Sequence, residues 1–514
     1  MIEVREHRFY DGTGRQIILH GINYVNKDPL AGYLYPESAD AFGAFRRWGF
    51  NCIRLGVMWA GLEPEPGAYD EAYLRGIGRQ LDLAHERELF VYLDMHQDLF
   101  SVLYSDGAPA WATAHEGLPH VAGEVWSDAY VTSPAVQAAI DNFWRNAPVP
   151  GALGKSEGPG LQDRLIACWR LLAERFGTHP AVIGYDLYNE PMLGSAAPEA
   201  LNLQFSRGAE LLAQRAGDLP APDQNASPDA DLFALWASPE GRSQVLGLLD
   251  GPVYAEVMEA PRPVYNRFER EALMPFYERA AAAIRSVDSR RIIFLEASMG
   301  SNMGVYSAIE PLAAGGPQAY APHGYDLVVD TPAVAEAGPA RVELIFTRHG
   351  ETARRLGLPM LVGEWGAYGA WPDTLPAARA VVRMFERLSC SDTYWDYRPG
   401  MEGDACFPAL SRPYPERVAG ELESYAFDEE RARFSCAWTE NPAIPAPTQV
   451  YLPAWFGFDP ARLDLTPATD YRVEALGSGA VRLLILPTGS AVRRSLSVTV
   501  SAPAASAAAA DGED

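Results

Sequence analysis

Two glutamates stand where a carboxyl group could do chemistry. Glu190 closes the run Ile183-Gly184-Tyr185-Asp186-Leu187-Tyr188-Asn189-Glu190-Pro191, and Glu364 sits in Leu361-Val362-Gly363-Glu364-Trp365-Gly366. Two carboxyl groups flanking one bond can hydrolyse a glycoside. In a retaining enzyme they stand about 5–5.5 Å apart, one attacking the anomeric carbon and the other donating a proton to the leaving oxygen. Further polar residues fall at the ends of other apolar runs: Arg54, His96, His323, Tyr325 and Trp395. Each has a use beside such a pair. Asn189 can hold the sugar 2-hydroxyl, a contact that strengthens in the transition state. Tyr325 can donate a hydrogen bond to Glu364, and Arg54 can pair with Glu364 and lower its pKa. His96 and His323 can bond sugar hydroxyls or the carboxylates. Trp395 offers an aromatic face to a sugar ring.

These residues need a frame that brings strand ends together. Short apolar runs recur at Ile17–Val25, Asn51–Val57, Phe90–Met95, Val182–Tyr188, Ile292–Glu296, Ala319–His323, Met360–Gly363 and Asp392–Trp395. Helical stripes lie between them. Leu74, Ile77, Leu81 and Ala84 follow the capping candidate Asp70, and Leu165, Trp169, Leu172 and Phe176 precede a stopping Gly177. Leu273, Phe276, Ala280 and Ile284 form a third stripe. Strand and helix alternating eight times predict an α/β chain folded as a (β/α)8 TIM barrel, with the polar residues gathered on the face where strands end. An open doubly wound sheet is the alternative, but no G-x-G-x-x-G follows an early strand.

Past residue 410 the pattern becomes strands alone. Ala432, Phe434, Cys436 and Trp438 alternate with Arg431, Arg433, Ser435 and Ala437, and Leu496, Val498 and Val500 alternate with Ser495, Ser497 and Thr499. The expected division is a catalytic barrel over 1–410, an antiparallel β-sandwich over 411–502 and a disordered tail over 503–514. Two connections are long, Ser101–Gly160 and Met192–Pro263, and on a barrel both would wall the substrate site. Gly217–Ala230 reads as a flexible surface excursion.

Bulk properties exclude several classes of function. A net charge of −25 repels phosphate backbones, so nucleic acid is not an expected partner. No stretch is long and apolar enough for a transmembrane segment. The charged start Met1–Glu6 carries no signal peptide, so the expectation is a cytoplasmic protein or one whose leader has been removed. Five scattered cysteines include no CxxC pair and give a metal site no support. Cys52, Cys168 and Cys436 read as core, leaving Cys390 and Cys406 as a pair that could meet.

The eight residues Arg54, His96, Asn189, Glu190, His323, Tyr325, Glu364 and Trp395 together resemble the site of glycoside hydrolase family 5, over about residues 10–400. That resemblance assigns Glu190 as acid/base on strand four and Glu364 as nucleophile on strand seven, with no cofactor. Four longer matches are similar to the endoglycoceramidase branch of the family: DMHQDLFS (Asp94–Ser101), DGAPAWA (Asp106–Ala112), SPAVQAAIDNFW (Ser133–Trp144) and YAPHGYD (Tyr320–Asp326). Members of that branch cleave β-linked glucose from ceramide and carry a β-sandwich after the barrel. By the same resemblance His96, Asp98 and Lys27 would bind the glucose beside the scissile bond. The partner implied is a glycolipid or another β-glycoside with an apolar aglycone, met by transient contact with lipid surfaces or micelles. The alternatives are an exo-acting β-glucosidase, glucosylceramidase or steryl glucosidase, an endo-β-glucanase or mannanase, and a carbohydrate-binding protein without catalysis.

Overall fold

The computed structural model describes residues 1–36, 39–123, 125–149, 158–214, 243, 245–247, 249, 251–331 and 333–500. The excursion at Gly217–Ala230 and the tail over 503–514 lie outside them.

Eight parallel strands form a ring: His20–Tyr24, Cys52–Met58, Phe90–His96, Val182–Asp186, Ile292–Leu295, Gln318–Tyr320, Leu361–Val362 and Ser391–Tyr394. The first pairs with the second and the eighth. The ring closes between the sixth and seventh through the bridge Tyr320–Met360. A short parallel ladder just beyond it sets His323 opposite Glu364. The strands are buried almost throughout, which is why they read as continuous apolar runs rather than alternating ones.

Helices cover the outside of the ring. The helix Glu71–Glu86 starts where Asp70 accepts the N–H groups of Ala72 and Tyr73, and it buries Leu74, Ile77, Leu81 and Ala84. The helix Leu161–Phe176 does end at Gly177, but with φ of −61° and not in the left-handed turn that favours glycine. Glycine is needed there for space: a Cβ would lie 2.5 Å from the Ala173 carbonyl oxygen and 2.6 Å from Asp288. The long connections after strands three and four carry helices of their own, among them Pro134–Trp144, Ala197–Gln214 and Gly251–Glu259.

The C-terminal strands build a sandwich. One sheet holds Gly420–Asp428, Arg433–Glu440, Arg493–Thr499 and Leu463–Thr466; the other holds Tyr414–Val418, Thr448–Leu452, Ala480–Ile485 and Tyr471–Gly477. Phe434, Cys436, Trp438, Leu496 and Val498 face Tyr414, Val450, Leu452, Leu483 and Ile485 across a shared core. The second sheet is extended by Glu3–Arg5, Arg8–Tyr10 and Gln16–Ile17 from the start of the chain. Ile2 and Phe9 from that segment pack with Cys52, Tyr92, Ile183 and Phe294, plugging the barrel at the end away from the catalytic face.

Charged groups join the two units. Asp392 on the eighth strand is paired with Arg412 at 2.5 Å and with His20 at 3.1 Å, all buried. Burial opposes charge on Asp392, but Arg412 and His20 outweigh it and hold the carboxyl down at about 2. All five cysteines are free and buried. Cys390 and Cys406 therefore form no bridge; the Cys406 thiol lies 3.7 Å from the Tyr394 hydroxyl instead.

Candidate active site

Arg54, on the second strand, is the hub beneath the barrel mouth. It is fully buried, and its guanidinium reaches Asp94, Asp186, Glu296 and Glu364 at 2.8, 2.9, 2.8 and 2.5 Å. It also donates to Asn23 and Asn189. Its five N–H donors go to Asp186, Asn23, Glu364, Asn189 and Glu296, while Asp94 is an ion-pair neighbour; a lysine could not serve so many acceptors.

Glu190 and Glu364 come together as the strand order requires. One carboxylate oxygen of each, with a ring nitrogen of His323, lies within 4.8 Å of the other two. The Oε1 of Glu190 accepts from Asn302 Nδ2 at 2.7 Å and lies 3.0 Å from His323 Nδ1. Both contacts fall on Oε1, which leaves Oε2 to face a substrate. Glu364 is held on both oxygens, by Arg54 on Oε1 and by the Tyr325 hydroxyl at 2.8 Å on Oε2. Burial and then the Glu364 charge hold the Tyr325 hydroxyl well above its ordinary pKa, so it stays a donor.

The expected effect of Arg54 on Glu364 is only part of the outcome. Burial pushes the Glu364 carboxyl up to about 7, with His323 and Arg54 pulling it down and Glu190 and Glu296 adding to the rise. The arginine is shared among four acids, so its pull on any one is diluted.

The other expected residues divide into neighbours of the pair and one wall of the cavity. Asn189 gives Oδ1 to Arg54 and donates Nδ2 to the Gln97 carbonyl at 3.0 Å. His96 Nδ1 lies 2.8 Å from Asp94, and the ring stacks on Trp395 with centroids 5.2 Å apart. Burial, reinforced by the charge of Lys27, drives the His96 pKa well down, so the ring is neutral. Its Nε2 is buried without a hydrogen-bond partner, 3.9 Å from Asp98, and the residue lines the cavity. Lys27 is paired with Asp98 and lies 4.7 Å above the Trp395 ring. Burial works against its charge, but Asp98 and Asp106 outweigh it and keep the ammonium protonated.

Several further residues join the site. Asp106 accepts the Asp98 N–H at 3.0 Å and lies 3.7 Å from Lys27. Asn302 stands on the segment after strand five, and Trp126 donates to Asp330 at 3.0 Å between the segments after strands three and six. Glu296 accepts the backbone N–H of Glu190 at 2.8 Å. Its signal was present in the sequence: an acid ending an apolar run, like Glu190 and Glu364.

The cavity over the pair measures 290 Å³. Strands eight, one and three supply Trp395, Lys27, His96 and Asp98 to it; strands five and six supply Met299, Met303, Leu327 and Val329. The segments after strands five and six also supply Asn302, Tyr325, Asp326 and Asp330, so one arc is polar with an aromatic face and the opposite arc mixes apolar and polar side chains. Three groups of acids and histidines come within 4.8 Å of each other here. Lys27, Arg54 and His323 already give their carboxylates cationic partners.

Comparison with known proteins follows the same division of the chain. The family model described as cellulase (glycosyl hydrolase family 5) matches residues 10–207 and 250–400, and the glycoside hydrolase family 5 C-terminal domain matches 412–500. Endoglycoceramidase I of Rhodococcus hoagii is 26% identical over 505 residues, 94% of this chain and 87% of that protein. A glucosylceramidase of Aspergillus fumigatus is 32% identical over 247 residues, 38% of this chain and 32% of that protein. Among solved structures, endo-glycoceramidase II from Rhodococcus sp. in complex with ganglioside GM3 superposes with a TM-score of 0.68 at 25% identity. It covers 96% of this chain and 99% of its own. The same protein has also been captured as a lactosyl-enzyme intermediate, which superposes at 0.67.

Proposed function

The chain belongs to glycoside hydrolase family 5 and is a glycoside hydrolase, and we propose that it releases the sugar of a glycosphingolipid by double displacement at the bond between β-glucose and ceramide. The observation that carries this reading is the close carboxylate pair at the base of a cavity lined by both sugar-binding and apolar groups. Lys27, His96, Asp98 and Trp395 suit a glucose, and the apolar side chains of Met299, Met303, Leu327 and Val329, set among polar neighbours, suit the start of a lipid aglycone. The relatives named for endoglycoceramidase activity, one of them captured with a lactosyl group on the enzyme, support the same assignment.

In this reading Glu364 attacks the anomeric carbon while Glu190 protonates the glycosidic oxygen from Oε2. The lipid departs, and the sugar is held as an ester on Glu364. Glu190, now ionised, takes a proton from water, which attacks the anomeric carbon, breaks its bond to Glu364 and frees the sugar with its original configuration. Carboxylate oxygens within 4.8 Å leave no room for the water that an inverting enzyme places between its acids.

Substrate of this kind sits in micelles or membranes. Leu30, Leu103, Leu118, Trp126 and Trp371 are exposed, and all lie on segments that follow barrel strands, at the end where the cavity opens. They supply apolar contact for a lipid aggregate.

A second reading, an exo-acting glucosylceramidase, is favoured by the Trp126–Asp330 hydrogen bond at the cavity rim, which narrows the space for further sugars. One experiment separates the two. The protein is incubated with glucosylceramide and with longer glycosphingolipids, and the released sugar is identified by mass. Intact oligosaccharide is the expected product; glucose alone, with longer substrates untouched, would favour the second reading. Cleavage of soluble glucans with no action on either lipid would sink both.

A further inference from the structure

Glu296 is buried at the end of the fifth strand, behind the cavity wall. Its carboxyl accepts two hydrogen bonds and lies at ion-pair distance from a histidine ring. Oε2 accepts the N–H of Glu190 at 2.8 Å, and Oε1 lies 2.8 Å from Arg54 and 3.3 Å from His323 Nε2. The opposite nitrogen of the same ring, Nδ1, lies 3.0 Å from Glu190 and 3.5 Å from Glu364. The imidazole therefore spans the distance from a third acid to the catalytic pair. Its orientation is fixed by the seventh strand: a Cβ at position 363 would lie 2.9 Å from His323 Nε2, and only glycine lets the ring pack so closely on that backbone. Glu190 itself has φ of +45°, a left-handed conformation that costs a non-glycine residue energy unless its surroundings hold it.

We propose that Glu296 is a positioning residue for the acid/base: it keeps a proton on His323, whose imidazolium stabilises the Glu190 carboxylate once the glycosidic oxygen has taken its proton, and it holds the left-handed backbone of Glu190 through the N–H. This rests on the roles given to Glu190 and Glu364 above. The charge balance fits a double displacement. When Glu364 becomes an ester it loses its charge, and Glu190 gains one in the same step. His323 lies within reach of both, so its positive charge has a carboxylate partner before and after.

The groups facing His323 come from every side. Asp94 and His96 lie on the third strand, Arg54 on the second, Asp186 and Glu190 on the fourth or just past it, Glu296 past the fifth and Glu364 past the seventh. His349 approaches from the helix Pro339–Leu356. Acids outnumber cations. Burial alone would lower the His323 pKa, but Glu296, Glu364 and Glu190 outweigh it and hold it well above the ordinary value. Burial pushes Glu296 up to about 8, with His323 pulling the other way. The pair keeps a proton between its members through neutral pH.

Glu296→Gln tests this, since glutamine keeps the size and an acceptor for the Glu190 N–H but removes the titratable carboxyl. The expected result is a kcat lowered by about 10–100-fold with KM within about threefold, and a deficit that widens from about pH 6 to pH 8 as His323 loses its proton early. The imidazole 15N resonances of His323 are followed in the same two proteins without substrate. The wild-type ring should stay doubly protonated at pH 7, and in the variant it should titrate about one pH unit lower or more. A variant with wild-type kcat and pH profile, or a wild-type His323 that is neutral at pH 7, overturns the proposal. Should the variant fail to fold, the wild-type titration decides alone. Because that measurement needs no substrate, a failure of the substrate assignment leaves it interpretable.

Discussion

A single guanidinium facing four acids explains most of the electrostatics at the residue scale. Arg54 cannot neutralise Asp94, Asp186, Glu296 and Glu364 together. Burial therefore pushes their carboxyls up, to about 6 for Asp94 and Asp186, about 7 for Glu364 and about 8 for Glu296. In its proposed role as nucleophile, a Glu364 poised near neutrality can carry its charge for attack and leave as a carboxylate in the second step. Its hydrogen bonds from Arg54 and Tyr325 orient both oxygens. Replacing it removes the bond-forming atom but little packing. Glu364→Ser should lower kcat by a factor on the order of 10⁴ or more, while far-ultraviolet circular dichroism and the thermal midpoint stay near wild type. Substantial residual turnover by the purified variant would show that another group attacks.

At the scale of elements, the readable features were those with a period or a boundary. Continuous apolar runs located all eight barrel strands because both faces of each are covered, and Leu74, Ile77, Leu81 and Ala84 lie buried along one helix as their spacing requires. The ends of the runs located His96, Glu190, His323 and Glu364, since a polar residue closing a buried strand has little reason to be there except the site; Arg54, expected at such an end, lies inside the strand Cys52–Met58 and reaches the site from beneath. Asn302 had no such marker. It sits in a short helical turn after strand five and reaches Glu190 only through the folded path of that segment. The first strands were equally silent: strands of three, three and two residues are too short to show alternation, and Tyr414–Val418, the partner of the third, lies some 400 positions away in the chain. That pairing has a consequence. A chain ending after Leu410 would lose Arg412 from the buried Asp392 and leave Gln16–Ile17 without its neighbour strand. Removing one partner of a buried ion pair costs about 3–5 kcal/mol. The truncated protein should be insoluble or should melt well below the full chain in a thermal scan. A soluble product with full activity would mean the sandwich is dispensable to the barrel.

For the whole molecule, an excess of acid is present inside as well as outside. The sequence carries a net charge of −25. Within the fold, burial holds Glu296 at about 8, Glu364, Asp106 and Glu386 at about 7, and Asp94, Asp186 and Asp396 at about 6. Each of these acids binds its proton more tightly folded than unfolded, where carboxyl groups titrate near about 4. Stability from such a group is lost as pH rises from its unfolded value to its folded one. His323, raised by its acidic neighbours against burial, acts in the same direction: its contribution is present at low pH and lost as pH rises through the folded value. Three histidines oppose this. Burial first of all lowers His20, His96 and His349, so the unfolded chain takes up their protons more readily, and stability falls as pH drops below about 6.5. Asp392, held at about 2, matters only in stronger acid. Above about pH 6.5 the three opposing histidines are silent and the raised acids remain. The thermal midpoint should therefore decline from about pH 6 toward about pH 8. Glu364→Gln takes one raised acid out of the sum, so its decline over that interval should be shallower than wild type, with the two proteins closest at the acid end. Differential scanning calorimetry at matched ionic strength would read both curves. A wild-type midpoint that rises from about pH 6 to pH 8 would mean that the carboxylates around Arg54 are ionised in the folded protein and paid for by contacts beyond those of Arg54 and His323.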